Sequence, residues 1–200
     1  NVVEPPGGVL ISHLMPPIKV IEHIKPLGMT NPKPGIYVFD LGQNSAGWVR
    51  LTATGPRGKR ITLRYAEDLL PDGNIDVKSN ERALATDVYV MKGQGREAYE
   101  PRFTFHGFRY VEVTGFPGVP KLENILGCVV HTACESTGDF TCDNDLINRI
   151  HRATRWAQRS NLMGYPTDCP QRDERLGWFG DAMVSMEEAM FNFDMPLFYR

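Results

Sequence analysis

The chain has 200 residues, a net charge of −2, 42% apolar and 23% charged residues, the balance of a globular protein with one large or two small domains. Near-neutral charge gives no electrostatic basis for binding nucleic acid or an acidic membrane surface. No apolar run is long enough to span a bilayer, so no membrane partner is expected.

Residues 1–35 are rich in Pro and Gly, with apolar patches at Val9-Leu10-Ile11 and Ile18-Lys19-Val20-Ile21. They read as an extended leading segment with at most one edge strand. The chain opens on Asn, not Met, so a piece of a longer protein is expected. It lacks a positively charged stretch followed by an apolar one, so no signal peptide is visible, which favours a cytoplasmic location. From Gly35 to about His131 the period is two, and residues 36–138 are read as one β-domain. Trp48, Arg50 and Thr52 alternate with Val49, Leu51 and Ala53; Ile61, Leu63 and Tyr65 alternate with Thr62 and Arg64; Val88 and Val90 alternate with Asp87 and Tyr89. Pro71-Asp72-Gly73-Asn74 is a turn, because Pro presets φ and Gly accepts positive φ. Short alternating segments between Gly/Pro turns predict an antiparallel β-sandwich. The aromatics at 103–110 read as its core and His106 as a structural histidine at a strand bend; His131 and His151 carry no functional expectation.

Near Asp139 the period changes. Leu146, Ile150, Ala153 and Ala157 lie on one helical stripe, predicting a helix over about 144–161 with Asp143 as its cap. A second helix is expected from about Asp181, again as cap, to Phe191, and Asp194-Met195-Pro196 reads as the opening of a third. Two helices and a stub cannot bury their own faces, so residues 139–200 are expected to be the N-terminal part of a larger α-domain. Cys128, Cys134, Cys142 and Cys169 show no CxxC spacing and no metal-ligand pattern. Free thiols are expected, with no metal and no cofactor.

The chemistry concentrates in residues 166–181, PTDCPQRDERLGWFGD. Pro166, Pro170, Gly177 and Gly180 argue against a solvated helix and for a shaped loop. That loop carries Asp168, Asp173, Glu174 and Asp181, with Arg172, Arg175 and Trp178 among them. Glycosidic bond cleavage usually takes one carboxylic acid to protonate the departing oxygen and one carboxylate. Adjacent Asp173 and Glu174 diverge in a non-helical loop and can serve different roles. Arg172 and Arg175 can hold a carboxylate ionised, and an indole suits the C–H face of a sugar. The residues alone leave open a structural reading: Glu174 as an ion-pair partner, Asp168 as a turn-fixing Asx residue, Asp181 as a cap, Trp178 as core.

DCPQRDERLGWFGD resembles the signature of bacterial and fungal α-L-rhamnosidases, glycoside hydrolase family 78; YVFDLGQNSAGWVRL, RYAEDLLPDGN and EPRFTFHGFRYVEV resemble that family's preceding β-domain. The resemblance spans about residues 36–200. It implies a multidomain β-then-α fold, the sandwich followed by the first helices of an (α/α)6 barrel, and an inverting hydrolysis of rhamnose-containing glycosides. It places the general acid on Glu174 and substrate contacts on Asp168, Arg172, Trp178 and Asp181. The family's general base matches nothing in these residues, so this chain alone is expected to be inactive. Phe179 departs from the small residue usual at that position. The competing reading is a non-catalytic carbohydrate-binding β-module. The sequence is compatible with a homodimer.

Overall fold

The computed structural model describes residues 7–199; the first six residues of the expected leading segment and Arg200 lie outside them. Ten strands come first: β1 (Ile18–Ile24), β2 (Gly28–Lys33), β3 (Ile36–Thr54), β4 (Arg60–Ala66), β5 (Asp68–Leu69), β6 (Ile75–Asp76), β7 (Thr86–Val90), β8 (Arg96–Tyr99), β9 (His106–Thr114) and β10 (Ile125–Thr132). Two helices follow, α1 (Asp145–Ser160) and α2 (Phe179–Asn192). No helix among the described residues is long and apolar enough to cross a membrane.

Antiparallel pairing gives one sheet in the order β1-β10-β3-β9-β4-β7, with β2 and β8 also on β3, and a separate β5–β6 ribbon. The organising element is β3, whose 19 residues far exceed the usual strand length. Its first half runs between β2 and β9, its second between β10 on one edge and β9 then β8 on the other. Phe39 and Leu41 from the first half and Val49, Leu51 and Ala53 from the second enter the same core as Ile61, Leu63, Val111, Val113 and Ile125. One sheet therefore curls about a common core and supplies both walls of the expected sandwich. The curl has two local causes. Between Asp40 and Ser45 the register with β9 slips; Gly42 there has φ +75°, and Asp40 accepts two bonds from Arg109, at 2.8 and 2.9 Å. At Gly47 φ is +152°, and a Cβ would lie 1.9 Å from the Cys128 carbonyl oxygen, so only glycine lets β10 approach this closely.

The alternation in β3 and β4 puts Val49, Leu51, Ala53, Ile61, Leu63 and Tyr65 inside. In β7 the phase is reversed: Asp87 is buried and Val90 is exposed. Asp87 tolerates burial because its Oδ2 accepts the Tyr65 hydroxyl at 2.7 Å and lies 3.1 Å from His106 Nε2. His106 stacks on the Tyr65 ring, the structural role expected for it. Phe108 is core, whereas Phe103 is fully exposed with φ +58°.

Glu97 closes the β7–β8 turn. It accepts the Tyr89 hydroxyl and the N–H groups of Lys92, Gly93 and Gln94. These bonds, Tyr89 first, hold its pKa down to about 2. A carboxyl with a depressed folded pKa contributes stability above its unfolded pKa of about 4.3 and loses it as pH falls toward the folded value. Glu97→Gln is therefore expected to lower stability at pH 5–7 and to flatten its decline between about pH 4.5 and 2. Chemical unfolding across that pH range checks this; equal slopes in the two proteins would refute it.

Helix α1 forms where its period predicts, but Asn144, not Asp143, caps it, accepting from the N–H groups of Leu146 and Ile147. A cap needs extended backbone one residue before the first turn, and Asn144 has it. Gln158 and Ser160 of α1 are buried, while Leu146, Ile147 and Ile150 are exposed. Arginines make this orientation. Arg159 Nη2 donates to Glu22 at 2.9 Å on β1, and its Nε donates to His131 Nε2 at 3.1 Å on β10. An Arg can only donate, so His131 carries its proton on Nδ1, bonded to the Thr132 carbonyl at 2.7 Å. Burial lowers the His131 pKa and keeps it neutral. Arg155 reaches the Gly138 carbonyl and Asn192 Oδ1, each at 2.7 Å, tying α1 to α2.

Helix α2 begins two residues before Asp181, which lies in its first turn and does not cap it; the capping position is Trp178, without a side-chain bond. A carboxylate in the first turn still meets the positive end of the helix dipole. The expected third helix appears as one turn, the Phe198 and Tyr199 N–H groups bonding the Met195 carbonyl at 2.9 and 3.1 Å.

Candidate active site

The segment between α1 and α2 is an irregular loop, as its prolines and glycines predict. Asp168 closes it. Its N–H donates to the Leu176 carbonyl at 3.1 Å, and its Oδ1 accepts the Leu176 N–H at 2.7 Å. Its Oδ2 accepts the Cys169 thiol at 2.7 Å and lies 3.5 Å from Arg172 Nη2. The side chain is only 5% exposed. Burial works against its charge, but the thiol, the Leu176 amide and Arg172 together outweigh it and hold the carboxyl below its ordinary range. Burial and the neighbouring Asp168 push the Cys169 thiol up.

Glu174 stands one step further along. Its Oε1 accepts the Trp178 indole N–H at 2.8 Å, and its Oε2 lies 2.7 Å from Arg172 Nη2. Arg172 is the hub. Besides both carboxylates it contacts Cys169 Sγ at 3.2 Å and Glu81 Oε1 at 3.1 Å. Ligand atoms of Asp168, Cys169 and Glu174 lie within 4.8 Å of one another. The Arg172 guanidinium contacts all three and is the cation of this cluster. Asp173 turns away to Arg82, 3.0 Å from its Nε, so adjacent acids do diverge. Among the described residues Arg175 holds no carboxylate: it donates to the Phe105 carbonyl at 2.8 Å and the Arg172 carbonyl at 2.9 Å, and stacks on the Phe105 ring.

The structure thus gathers Asp168, Arg172, Glu174 and Trp178 into one connected group. Asp181 belongs to a neighbouring cleft of about 520 Å³ between α1 and α2, which Asp168 also lines together with Gln158, Asn161 and Glu188. Asp168 is the link between the two. Trp178 leaves 49% of its surface open, and Phe179 is 90% exposed. Sequence reasoning did not single out Glu188, whose carboxyl is pushed up by burial in that cleft, nor Glu81 and Arg82, which reach the loop from 91 residues away. No local spacing carries a signal for such pairs. Replacing Trp178 by Phe would keep an aromatic ring but remove the donor to Glu174.

Residues 30–131 match the family model described as the bacterial α-L-rhamnosidase concanavalin-like domain, and residues 135–200 match the bacterial α-L-rhamnosidase 6 hairpin glycosidase domain. The chain is 46% identical over 189 residues to an α-L-rhamnosidase of Streptomyces avermitilis, covering 94% of this chain and 18% of that protein. The crystal structure of the S. avermitilis enzyme complexed with L-rhamnose superposes with a TM-score of 0.93 at 45% identity, over 95% of this chain and 18% of that one. The α-L-rhamnosidase from Dictyoglumus thermophilum gives 0.95 at 58% identity, over 99% of this chain and 22% of that one. The chain therefore spans about a fifth of the length of these relatives. An antiparallel β-domain runs into the first helices of a six-hairpin domain, with the acid-and-arginine loop between those helices. This chain belongs to the bacterial α-L-rhamnosidase family.

Proposed function

We propose that this chain is the β-domain, residues 36–138, and the opening of the (α/α)6 catalytic domain, residues 139–200, of an enzyme that removes terminal α-L-rhamnose from glycosides with inversion. The observation that carries this reading is Glu174, held on one oxygen by Arg172 and on the other by the Trp178 indole. Glu174 donates its proton to the glycosidic oxygen as the bond from that oxygen to the anomeric carbon breaks. A water molecule, deprotonated by a second carboxylate, attacks the opposite face of that carbon. Inversion requires the two carboxyl groups to stand about 6.5–9.5 Å apart to admit the water, and the base is assigned to no residue of this chain. Arg172 and Trp178 are the partners of the carboxylate left on Glu174 once its proton has gone. The substrate-binding roles proposed for Asp168, Arg172, Trp178 and Asp181 follow the same arrangement: Asp168 and Asp181 share a cleft, and Trp178 offers an open ring face beside the acid. The exposed stripe of Leu146, Ile147 and Ile150 on α1 suits burial by further helices of the barrel. The test is hydrolysis of aryl α-L-rhamnosides by the full-length protein. Cleavage of a different glycoside would keep the acid and change the sugar; binding of rhamnose without any cleavage would favour a non-catalytic module.

A further inference from the structure

The β-domain does more than adjoin the loop. Among the described residues, the non-glycine residues with positive φ are Glu81, Ala85, Phe103 and Arg175, at 51°, 39°, 58° and 49°. All four gather at one place. Ala85 and Arg175 line a cavity of about 370 Å³ between the β-domain and the loop, with Asp87, His106, Arg172 and Asp173. Phe103 adjoins its wall at Thr104, and Glu81 bonds Arg172. Positive-φ backbone in side-chain-bearing residues is strained and persists where surrounding structure imposes it, commonly at functional sites.

What this backbone presents to the loop is a double charge pair in sequence step. Glu81 meets Arg172 at 3.1 Å, and Arg82 meets Asp173 at 3.0 Å. Residues 172 and 173 immediately precede Glu174. The second pair fixes Asp173 away from its neighbour, and the first shares the same guanidinium that holds Glu174 Oε2. We infer that Glu81 and Arg82 are positioning residues for the reaction: from the β-domain they set the Arg172 guanidinium and the backbone at 172–173, and thereby where the Glu174 carboxyl stands. This assignment rests on the acid role proposed for Glu174. Both pairs are largely solvent-exposed on the β-domain side, with side-chain exposures of 54% for Glu81 and 89% for Arg82. Exposed pairs contribute little to stability, whereas small displacements of a reacting group lower rates strongly. The expected signature is thus a lost rate without a lost fold.

The experiment uses the full-length protein with Glu81→Gln, Glu81→Asp, Arg82→Glu, and Arg82→Glu combined with Asp173→Arg. It reads kcat and KM on an aryl α-L-rhamnoside, thermal stability, and hydrogen exchange over residues 168–176. Glu81→Gln is expected to lower kcat about tenfold, leave KM within about twofold and Tm unchanged, and speed exchange in the loop. Glu81→Asp, which keeps the charge, should retain more activity than Glu81→Gln. Arg82→Glu places a like charge against Asp173 and should lower kcat; the swapped pair should restore most of it. Unchanged exchange in the loop, or unchanged kcat in an enzyme that Glu174→Gln inactivates, overturns the assignment. If Glu174→Gln is itself fully active, the acid role fails separately, and exchange alone decides whether residues 81 and 82 hold the loop.

Discussion

Glu174→Gln in the full-length protein is expected to reduce kcat on aryl α-L-rhamnosides by about 10²–10⁴, the usual contribution of a general acid. Gln keeps the shape of Glu. It can still accept from Trp178 or Arg172, so the loop should keep its form and rhamnose should still bind, as calorimetry can check. What it lacks is a proton to give. The loss should therefore depend on the leaving group, small for an acidic phenol and large for a sugar or alkyl alcohol that departs only when protonated. A rate loss that is the same for every leaving group would mean that Glu174 acts in some other way, and binding of rhamnose abolished together with rate would make it a binding residue instead.

The largest expected effect on folding comes from Gly47→Ala. A Cβ at this position would sit 1.9 Å from the Cys128 carbonyl oxygen and 3.2 Å from the Val130 amide nitrogen, with φ at +152°. Both obstacles are backbone atoms of β10, so no rotamer change relieves them. Strain and overpacking together suggest about 3 kcal/mol or more, a fall in Tm on the order of 10 °C. Gly58→Ala is the control. Its φ is +81° but no atom lies within 4 Å of the new methyl group, so only the conformational penalty applies, about 1 kcal/mol. Thermal unfolding of the two variants separates crowding from strain; similar losses would show that β10 can give way.

What the sequence made legible is what local rules control. The alternation of Val49, Leu51 and Ala53 set one face of β3, and the stripe of Leu146 and Ile150 set the extent of α1. The loop at 166–181 could be recognised because prolines, glycines and charges collect there within one short run. Local rules failed where a distant partner decides. Asp87 turns inward against its strand's pattern because Tyr65 and His106 receive it. Helix α1 turns its polar side toward the sheet because Glu22 and His131 receive Arg159. The caps were misplaced by one residue at α1 and by three at α2, since backbone φ and ψ choose the cap from among several suitable side chains. That one sheet curls on β3 could not be read from alternation, which fixes the faces of a strand and not its neighbours.

The slip in register between Asp40 and Ser45 works as a buffer. Beyond it, β3 is pinned on both edges at one place: Ala46 and Gly47 pair with Gly107 and His106 of β9, and Gly47 also pairs with Val129 of β10. A Cβ at Gly107 would lie 2.7 Å from Pro170 of the loop, and β10 carries His131, which receives Arg159 of α1. The seat of the loop and the anchor of α1 thus meet across two residues of β3, on the same side of the slip. Deleting one residue from 41–44 would move the first half of β3 by up to about 3.3 Å and leave the spacing of these two attachments as it is. Length changes in that stretch are absorbed before they reach the loop.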